Sequence, residues 1–179
     1  NYATLNALRQ ATGSGASLAN GNLDFTCVSA ATGSQTTFAT FGVSSGKYYF
    51  EMTVGTAGGY YPGIGINTDL SLPPTSQSGD AASGYMYLRD GSKYNSYSLT
   101  SYGSSYTTGD VVGVALDLDA GTITFYKNGS SQGQAFSGIT GTAVPCIVGL
   151  SNASGSLNFG QRAFAYPLSG FKALCTTNL

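Results

Sequence analysis

The 179-residue chain contains no histidine and no tryptophan, and charged residues make up only 8% of it. Without histidine, the Ser-His-Asp and Cys-His catalytic systems and the usual zinc sites lack their central group. The seven lysines and arginines are scattered along the chain and form no basic stripe that could neutralise phosphates. The composition therefore argues against a nucleic-acid partner, a zinc site and nucleophilic catalysis of these two kinds.

Long apolar runs and closely spaced cysteines are also missing. Clean apolar stretches such as residues 111–116 are far shorter than the about 18–20 residues that cross a bilayer as a helix, so we expect no membrane insertion. Three cysteines are too few and too widely spaced for a disulfide framework or a metal knuckle. Cys146 lies in an apolar run and is expected to be a small buried residue, whereas a bridge between Cys27 and Cys175 stays open. We expect no metal and no other cofactor.

Glycine, serine and threonine dominate the chain, with 26, 23 and 20 residues. Aromatic residues reach 12% and the net charge is −1, whereas disordered chains normally have few aromatics and a high net charge. A folded chain of this length buries about two thirds of its unfolded surface, which is enough for a hydrophobic core. Because the first residue is asparagine, we expect a processed chain or a domain cut from a longer protein.

Strand patterns separated by turn residues run through most of the chain. Residues 47–54 are rich in aromatic and β-branched side chains, and residues 111–118 and 122–126 form a second clear pair around a glycine-containing turn. A further hairpin turn is predicted at Asn128-Gly129. Additional strands are predicted at residues 63–67, 85–89, 146–150 and 156–159. Short strands at this spacing predict an all-β fold, a two-sheet antiparallel β-sandwich with little or no helix.

Three segments carry a family resemblance. Residues 46–54, GKYYFEMTV, resemble the GKxYWEV strand of SPRY domains, and residues 112–129 resemble the family's hairpin that ends in FYxNG. Residues 157–167 are similar to the NFGQxPFxY ending found especially in SPRY domains of bacteriophage proteins. Phe50 stands where the family has tryptophan, which keeps the ring's packing role but loses an N–H donor. The resemblance predicts a SPRY-like β-sandwich domain at residues 21–179, preceded by an N-terminal extension or linker at residues 1–20.

The resemblance implies a bent β-sandwich whose loops at one face bind a partner, usually a protein, without catalysing a reaction. The phage-like ending adds an expectation of a non-enzymatic binding module in a bacteriophage virion, within a tail fibre, spike or capsid appendage. Exposed on the particle surface in oligomeric or multivalent form, it would recognise a host cell-surface protein or glycan. The alternative is a structural virion protein, a capsid decoration or fibre subunit that contacts only other virion subunits.

Tyrosines are concentrated in the middle of the chain, where eight of the 13 lie between Tyr60 and Tyr106. Residues 91–109 interleave four of them with Ser, Thr, Gly and Asn, the mixture that antibody loops use for recognition. Tyrosine also favours strands, so the same side chains could instead line a face of the sandwich. The predicted ligand-binding surface comprises Tyr60, Tyr61, Arg89, Asp90, Tyr94, Asn95, Tyr97, Tyr102 and Tyr106.

Carboxylates give little sign of chemistry. Asp117 and Asp119 lie two residues apart and could in principle bind Ca²⁺ or act as a catalytic pair, but Asp119 at the start of a turn is better explained as a backbone acceptor. Glu51, the only glutamate, is expected to be a structural hydrogen-bond acceptor. No carboxylate pair is evident on facing elements, so we expect no enzymatic activity.

Overall fold

Two β-sheets packed face to face form the molecule. The computed structural model describes residues 1–10, 16–27, 35–58, 61–69, 71 and 78–179. The eight strands of one sheet are β1 (Ala16–Ala19), β2 (Asp24–Cys27), β4 (Lys47–Val54), β9 (Val111–Asp117), β10 (Thr122–Lys127), β11 (Ser130–Phe136), β13 (Ser154–Asn158) and β14 (Lys172–Ala173). The six strands of the other are β3 (Gln35–Phe38), β5 (Gly63–Asn67), β6 (Gly84–Tyr87), β7 (Ser92–Asn95), β8 (Ser98–Ser101) and β12 (Val144–Gly149).

The larger sheet has the order β1-β2-β13-β4-β9-β10-β11, and the smaller has the order β3-β12-β5-β6-β7-β8. Their strand pairs are antiparallel except for β14, which pairs in parallel with Tyr48 and Tyr49 in the first half of β4. Within the described residues, the helical elements are two short 3₁₀ turns, Ser78–Asp80 and Thr176–Asn178. The predicted all-β antiparallel sandwich is therefore confirmed.

The core lies between the two sheets and is built from aromatic and branched side chains. Phe50 of β4 is buried and packs with its ring centroid 5.7 Å from that of Phe159, so the ring's packing role is kept without tryptophan. Tyr87 of β6 reaches across to Phe125 of β10 at 5.2 Å. Because side chains alternate along a strand, Met86 points away from Tyr87, to the other face of the smaller sheet. On that face the Ser78–Asp80 turn packs on β6 and β7.

Strands β9, β10 and β11 form two consecutive hairpins, with turns at the positions that the sequence predicts. Asp117 pairs with Thr122 around the predicted turn, and a second turn follows at Asn128-Gly129. Both residues of that second turn have positive φ, 47° and 80°, as a type I′ turn requires. The Asn128 side chain accepts a hydrogen bond from the Val111 amide at 2.8 Å, which ties the turn to the start of β9.

A C-terminal segment is fastened to the larger sheet through one carboxylate. Glu51 is buried and accepts hydrogen bonds from the backbone N–H groups of Ala165 and Tyr166, both at 2.8 Å. The Tyr49 hydroxyl donates a third bond at 3.2 Å. The expected acceptor role of Glu51 is confirmed, and the bonds hold Phe164 against the Tyr49 ring at 5.1 Å.

The N-terminal residues pack on the sandwich. Ala3 and Leu5 are buried in the core, and the Asn6 amide donates to the Phe38 carbonyl at the outer side of β3. The division predicted after residue 20 falls in the turn of the β1–β2 hairpin, where Ala19 pairs with Asp24. That division into an extension and a domain stays a prediction.

All three cysteines are buried free thiols, so Cys27 and Cys175 are not bridged in this structure. Cys146 is a buried core residue, as its apolar surroundings predicted. Burial raises the pKa of both Cys27 and Cys146 to about 12. These two thiols therefore stay protonated and unreactive near neutral pH.

Candidate functional site

The structure divides the predicted recognition residues into two groups on either side of β6. Tyr61, Tyr94, Asn95 and Tyr97 lie near the Ser78–Asp80 turn, whereas Tyr102 and Tyr106 pack on the buried Tyr87 ring. The second group comprises Arg89, Asp90, Tyr102 and Tyr106. Tyr60 falls outside the described residues. The predicted surface is thus not one continuous patch.

The first group is centred on the hairpin of β7 and β8, residues 92–101, which we call the Tyr97 hairpin. Asn95 pairs with Ser98, so only Ser96 and Tyr97 form the turn. Both have positive φ, 53° and 57°, the type I′ geometry that normally selects Asn-Gly. A non-glycine residue in this region costs roughly 1–2 kcal/mol, so the turn stores backbone strain.

Hydrogen bonds brace the tip of the hairpin against residues 79–84, in and after the Ser78–Asp80 turn. The Ser96 amide donates to the Ala81 carbonyl, and the Tyr97 amide donates to the Gly79 carbonyl, each at 3.3 Å. The Asn95 side chain donates to the carbonyls of Ala82 and Gly84 at 2.9 and 2.7 Å. These bonds satisfy the amides of the strained turn and fix its position.

Tyr94 packs beneath this tip. Its hydroxyl donates to Oδ1 of Asp80 at 2.7 Å, and its ring lies so close to Gly79 that a Cβ there would stand 2.0 Å from a ring carbon. Partial burial raises the pKa of Tyr94, and the Asp80 carboxylate and the nearby hydroxyls of Tyr61 and Tyr97 add to the rise. Gly79 therefore allows the close approach that locks the hairpin to the turn.

Two large side chains of the hairpin are exposed to solvent. Tyr97 is 78% exposed, and Leu99, which pairs with Tyr94 across the hairpin, is 48% exposed. All four residues of β8 are exposed. Tyr61, by contrast, is half-buried and packs on the core. The exposed aromatic and aliphatic side chains thus belong to the tip and outer strand of the Tyr97 hairpin.

The second group is mainly structural, and one prediction is corrected. Tyr106 is only 1% exposed, and its hydroxyl donates to the carbonyls of Pro62 and Tyr87 at 2.8 and 3.0 Å. Burial raises its pKa well above the ordinary value for tyrosine. Tyr106 cannot contact a ligand, because the loop after β8 that carries it packs its side chain into the core.

Tyr102, Arg89 and Asp90 also serve local structure. The Tyr102 ring packs edge-on against Tyr87 at 5.3 Å, and its hydroxyl donates to the Gly133 carbonyl. Arg89 is half-buried, and its carbonyl accepts from the Tyr106 amide. Asp90 is exposed and accepts from the amide and hydroxyl of Ser92 in the turn before β7. A ligand role for these three stays a prediction.

The acidic residues weighed as a metal or catalytic pair have structural partners. Asp117 forms an ion pair with Lys47 at 2.9 Å and accepts from the Ala120 amide. Asp119 accepts from the Gly46 amide at 2.7 Å, so it caps a neighbouring loop instead of its own turn. Across the described ranges, no group of three or more Cys, Asp or Glu side chains is arranged to hold a metal ion.

Sequence reasoning missed Leu99, which is exposed on the candidate surface, and Gly79 and Asp80, which support the hairpin from beneath. Leu99 is the single leucine of the polar stretch at residues 91–109, and Gly79 and Asp80 lie in a stretch without a strand pattern. Gly79 and Asp80 matter because β7 packs on the Ser78–Asp80 turn, a long-range contact that has no signal in the local sequence.

No helix in the part of the chain that the structure describes is long and apolar enough to cross a membrane.

Comparison with known proteins identifies the family. The family model "SPRY domain" matches residues 47–162. The chain is 35% identical over 136 residues to the E3 ubiquitin-protein ligase RKP of Arabidopsis thaliana, and 35% identical over 146 residues to the ATP-dependent RNA helicase Ddx1 of Drosophila melanogaster. These alignments cover 72% and 76% of this chain but only 10% and 19% of the relatives, so the chain spans a small part of either protein.

The fold matches that of the SPRY domain of human HERC1, with a TM-score of 0.75 at 21% identity. The match covers 89% of this chain and 99% of the HERC1 domain. At this level of identity the likeness concerns the fold alone.

These relatives overturn the predicted phage context. They are eukaryotic, a ubiquitin ligase and RNA helicases, so the predictions of a virion module and of a location on the virion surface are wrong. A host receptor and other virion subunits have no support as partners; interaction with another protein, the coarser prediction, remains. The phage-like ending at residues 157–167 has a structural role. Asn158 of β13 bonds to Ala163 and Gly160, and the Ala165 amide bonds to Glu51 of β4. The chain belongs to the SPRY domain family.

Proposed function

We propose that this chain is a protein-binding module without catalytic activity, and that the Tyr97 hairpin is its recognition surface. One observation carries the proposal: a tyrosine that is 78% exposed stands on a strained two-residue turn, braced by hydrogen bonds. Residues held in unfavourable backbone conformations cluster at active sites, ligand clamps and switch regions. A backbone that is held in place before binding also loses little conformational entropy when a partner arrives.

The chemistry of the hairpin fits a protein partner. Tyrosine is enriched among the residues that dominate binding energy at protein interfaces, and Leu99 adds apolar area beside it. The three serines and one threonine of β7 and β8 offer adaptable hydrogen bonds. Membership of the SPRY family supports the same class of partner.

The test uses two double variants with the same chemical changes. Tyr97→Ala/Leu99→Ser removes the exposed side chains of the hairpin, and Tyr2→Ala/Leu8→Ser removes another exposed tyrosine–leucine pair, 44% and 96% exposed, from the N-terminal segment. Proteins retained from a eukaryotic cell extract by the immobilised domain are compared by quantitative mass spectrometry. The strongest binder is then purified and titrated with each variant by calorimetry.

We expect the purified binder to lose at least tenfold in affinity for the hairpin variant and to bind the control variant as it binds the wild type. Thermal unfolding of all three forms serves as the check on folding. Equal affinity of the hairpin variant and the wild type, with equal thermal stability, would refute the hairpin as the recognition surface.

A further inference from the structure

The edges of the two sheets are protected to different degrees. At the edge of the smaller sheet formed by β3, the N-terminal segment covers the strand: the Phe38 carbonyl accepts from the Asn6 amide, and the Phe38 amide donates to the Arg9 carbonyl. At the edge of the larger sheet formed by β11, two shifts in register interrupt pairing with β10. Covering and bulging are the usual ways in which proteins keep edges from pairing further.

Among residues 1–10, 16–27, 35–58, 61–69, 71 and 78–179, none covers the edge formed by β8, and no shift in register interrupts it. It pairs with β7 in regular register from Ser98 to Ser101, and its four residues include no proline and no charge. All four are exposed. Beyond the strand, the Tyr102 and Gly103 amides turn back to the Gly91 carbonyl, so the open edge ends there. The result is a short, regular and uncovered template for another strand.

The register identifies which backbone groups face outward. Because a two-residue turn closes on a hydrogen-bonded pair, Asn95 and Ser98 bond to each other, and Lys93 and Thr100 form the next bonded pair. The alternate residues, Leu99 and Ser101, then direct their N–H and C=O groups away from β7. Two donors and two acceptors, spaced as in a strand, point from the edge of the sheet into solvent.

We infer that the partner supplies an extended segment that adds to β8 as a further strand. This deepens the proposed function and rests on it, since the same hairpin is the recognition surface. Backbone groups spaced two residues apart are matched by another extended backbone, which takes up both donors and both acceptors. The strand would run beside Leu99 and end at the braced tip, where Tyr97 selects the side chains that fit.

Proline substitution separates this inference from the proposed function. Ser101→Pro removes one outward N–H, while the Ser101 amide makes no bond to β7, so the hairpin keeps its pairing. Ser101→Ala is the matched control, because it loses the same hydroxyl but keeps the N–H. Neither variant alters Tyr97 or Leu99, whose loss tests the recognition surface itself.

The probe is a library of random linear nonapeptides, selected on the immobilised wild-type domain. We expect the selected peptides to bind Ser101→Ala as they bind the wild type and to bind Ser101→Pro at least tenfold more weakly. On addition of peptide, amide hydrogen exchange at Leu99 and Ser101 should slow. N-methylation should abolish binding when it is placed at alternate residues of the peptide, whose N–H groups face β8, and should have no effect at the residues between them.

Other outcomes overturn the inference. Peptides that depend on Tyr97 and Leu99 but bind Ser101→Pro at full strength would refute strand addition and leave the proposed function standing. A library that yields no peptide binding to the wild type would also refute it. So would a concentration-dependent dimer of the domain that Ser101→Pro dissolves, because a second copy would then occupy the edge.

Discussion

Tyr97 and Tyr106 lie nine residues apart in one serine- and tyrosine-rich stretch, yet they have opposite environments. Tyr97 is 78% exposed at the tip of an edge hairpin, and Tyr106 is 1% exposed with both hydroxyl contacts inside the protein. Composition gave both residues the same prediction. What separates them is the path of the chain, which leaves the sheet at Ser101 and returns across the Tyr87 ring before β9 begins.

Tyr94 falls between these extremes. Its ring packs over Gly79 and its hydroxyl bonds to Asp80, so it supports the exposed tip without being a free surface residue itself. Within this tyrosine-rich segment, Tyr106 fills the core, Tyr94 fastens the hairpin and Tyr97 is exposed to solvent. Substitutions should therefore lower the free energy of unfolding most at Tyr106, less at Tyr94 and least at Tyr97.

The largest expected effect is that of Tyr106→Ala. Removing a fully buried aromatic ring should lower the free energy of unfolding by about 3–5 kcal/mol, because the ring's contacts are lost and a cavity remains. Tyr97→Ala should change it by less than about 0.5 kcal/mol, since the side chain is exposed. Urea unfolding of both variants measures the difference. Similar losses for the two would break the comparison.

Tyr106→Phe isolates the hydroxyl. We expect a loss of about 1–2 kcal/mol, because the carbonyls of Pro62 and Tyr87 lose a buried donor. The same change at Tyr94, which removes the bond to Asp80, should cost less because that site is only partly buried. Tyr97→Phe should have no measurable effect on unfolding by urea. A larger loss at Tyr97 than at Tyr106 would contradict the assignment.

The buried hydroxyl also predicts a dependence on alkaline pH. Burial raises the pKa of Tyr106 in the folded chain above the value of about 10 that it has in the unfolded chain. Its contribution is complete below pH of about 10 and is lost as the pH rises further, because only the unfolded chain then releases the proton. The free energy of unfolding should fall less steeply above this pH in Tyr106→Phe than in the wild type. Parallel curves would contradict this.

Changing the turn itself should have a small effect of the opposite sign. Ser96→Asn/Tyr97→Gly replaces the turn with the residues that type I′ geometry favours, and should raise the free energy of unfolding by about 0.5–1 kcal/mol. The same variant should bind the partner more weakly, because it removes the exposed ring. Calorimetric titration and urea unfolding on the same samples test both. A gain in stability with full binding would show that the strain serves no recognition.

The sequence predicted the central strands well. β4 and β5 match their predicted ranges, and β9, β10, β12 and β13 lie within two residues of theirs, because each combines apolar or β-branched side chains with flanking turn residues. The strands it missed include β7 and β8, whose polar side chains carry no alternation. Their pairing depends on β6 and on the Ser78–Asp80 turn, so it has no local signature.

By itself, the sequence determined the fold class, the family, the Asn128-Gly129 turn and the acceptor role of Glu51, because each depends on local patterns or on motifs within a short stretch. Only the tertiary structure decided which tyrosines reach solvent and which strand forms an open edge. The exposure of a tyrosine side chain depends on the residues from distant parts of the chain that pack around it, such as Gly79 beneath Tyr94 and Pro62 beside Tyr106. A serine- and tyrosine-rich stretch is compatible with either side of the surface, and long-range packing makes the choice.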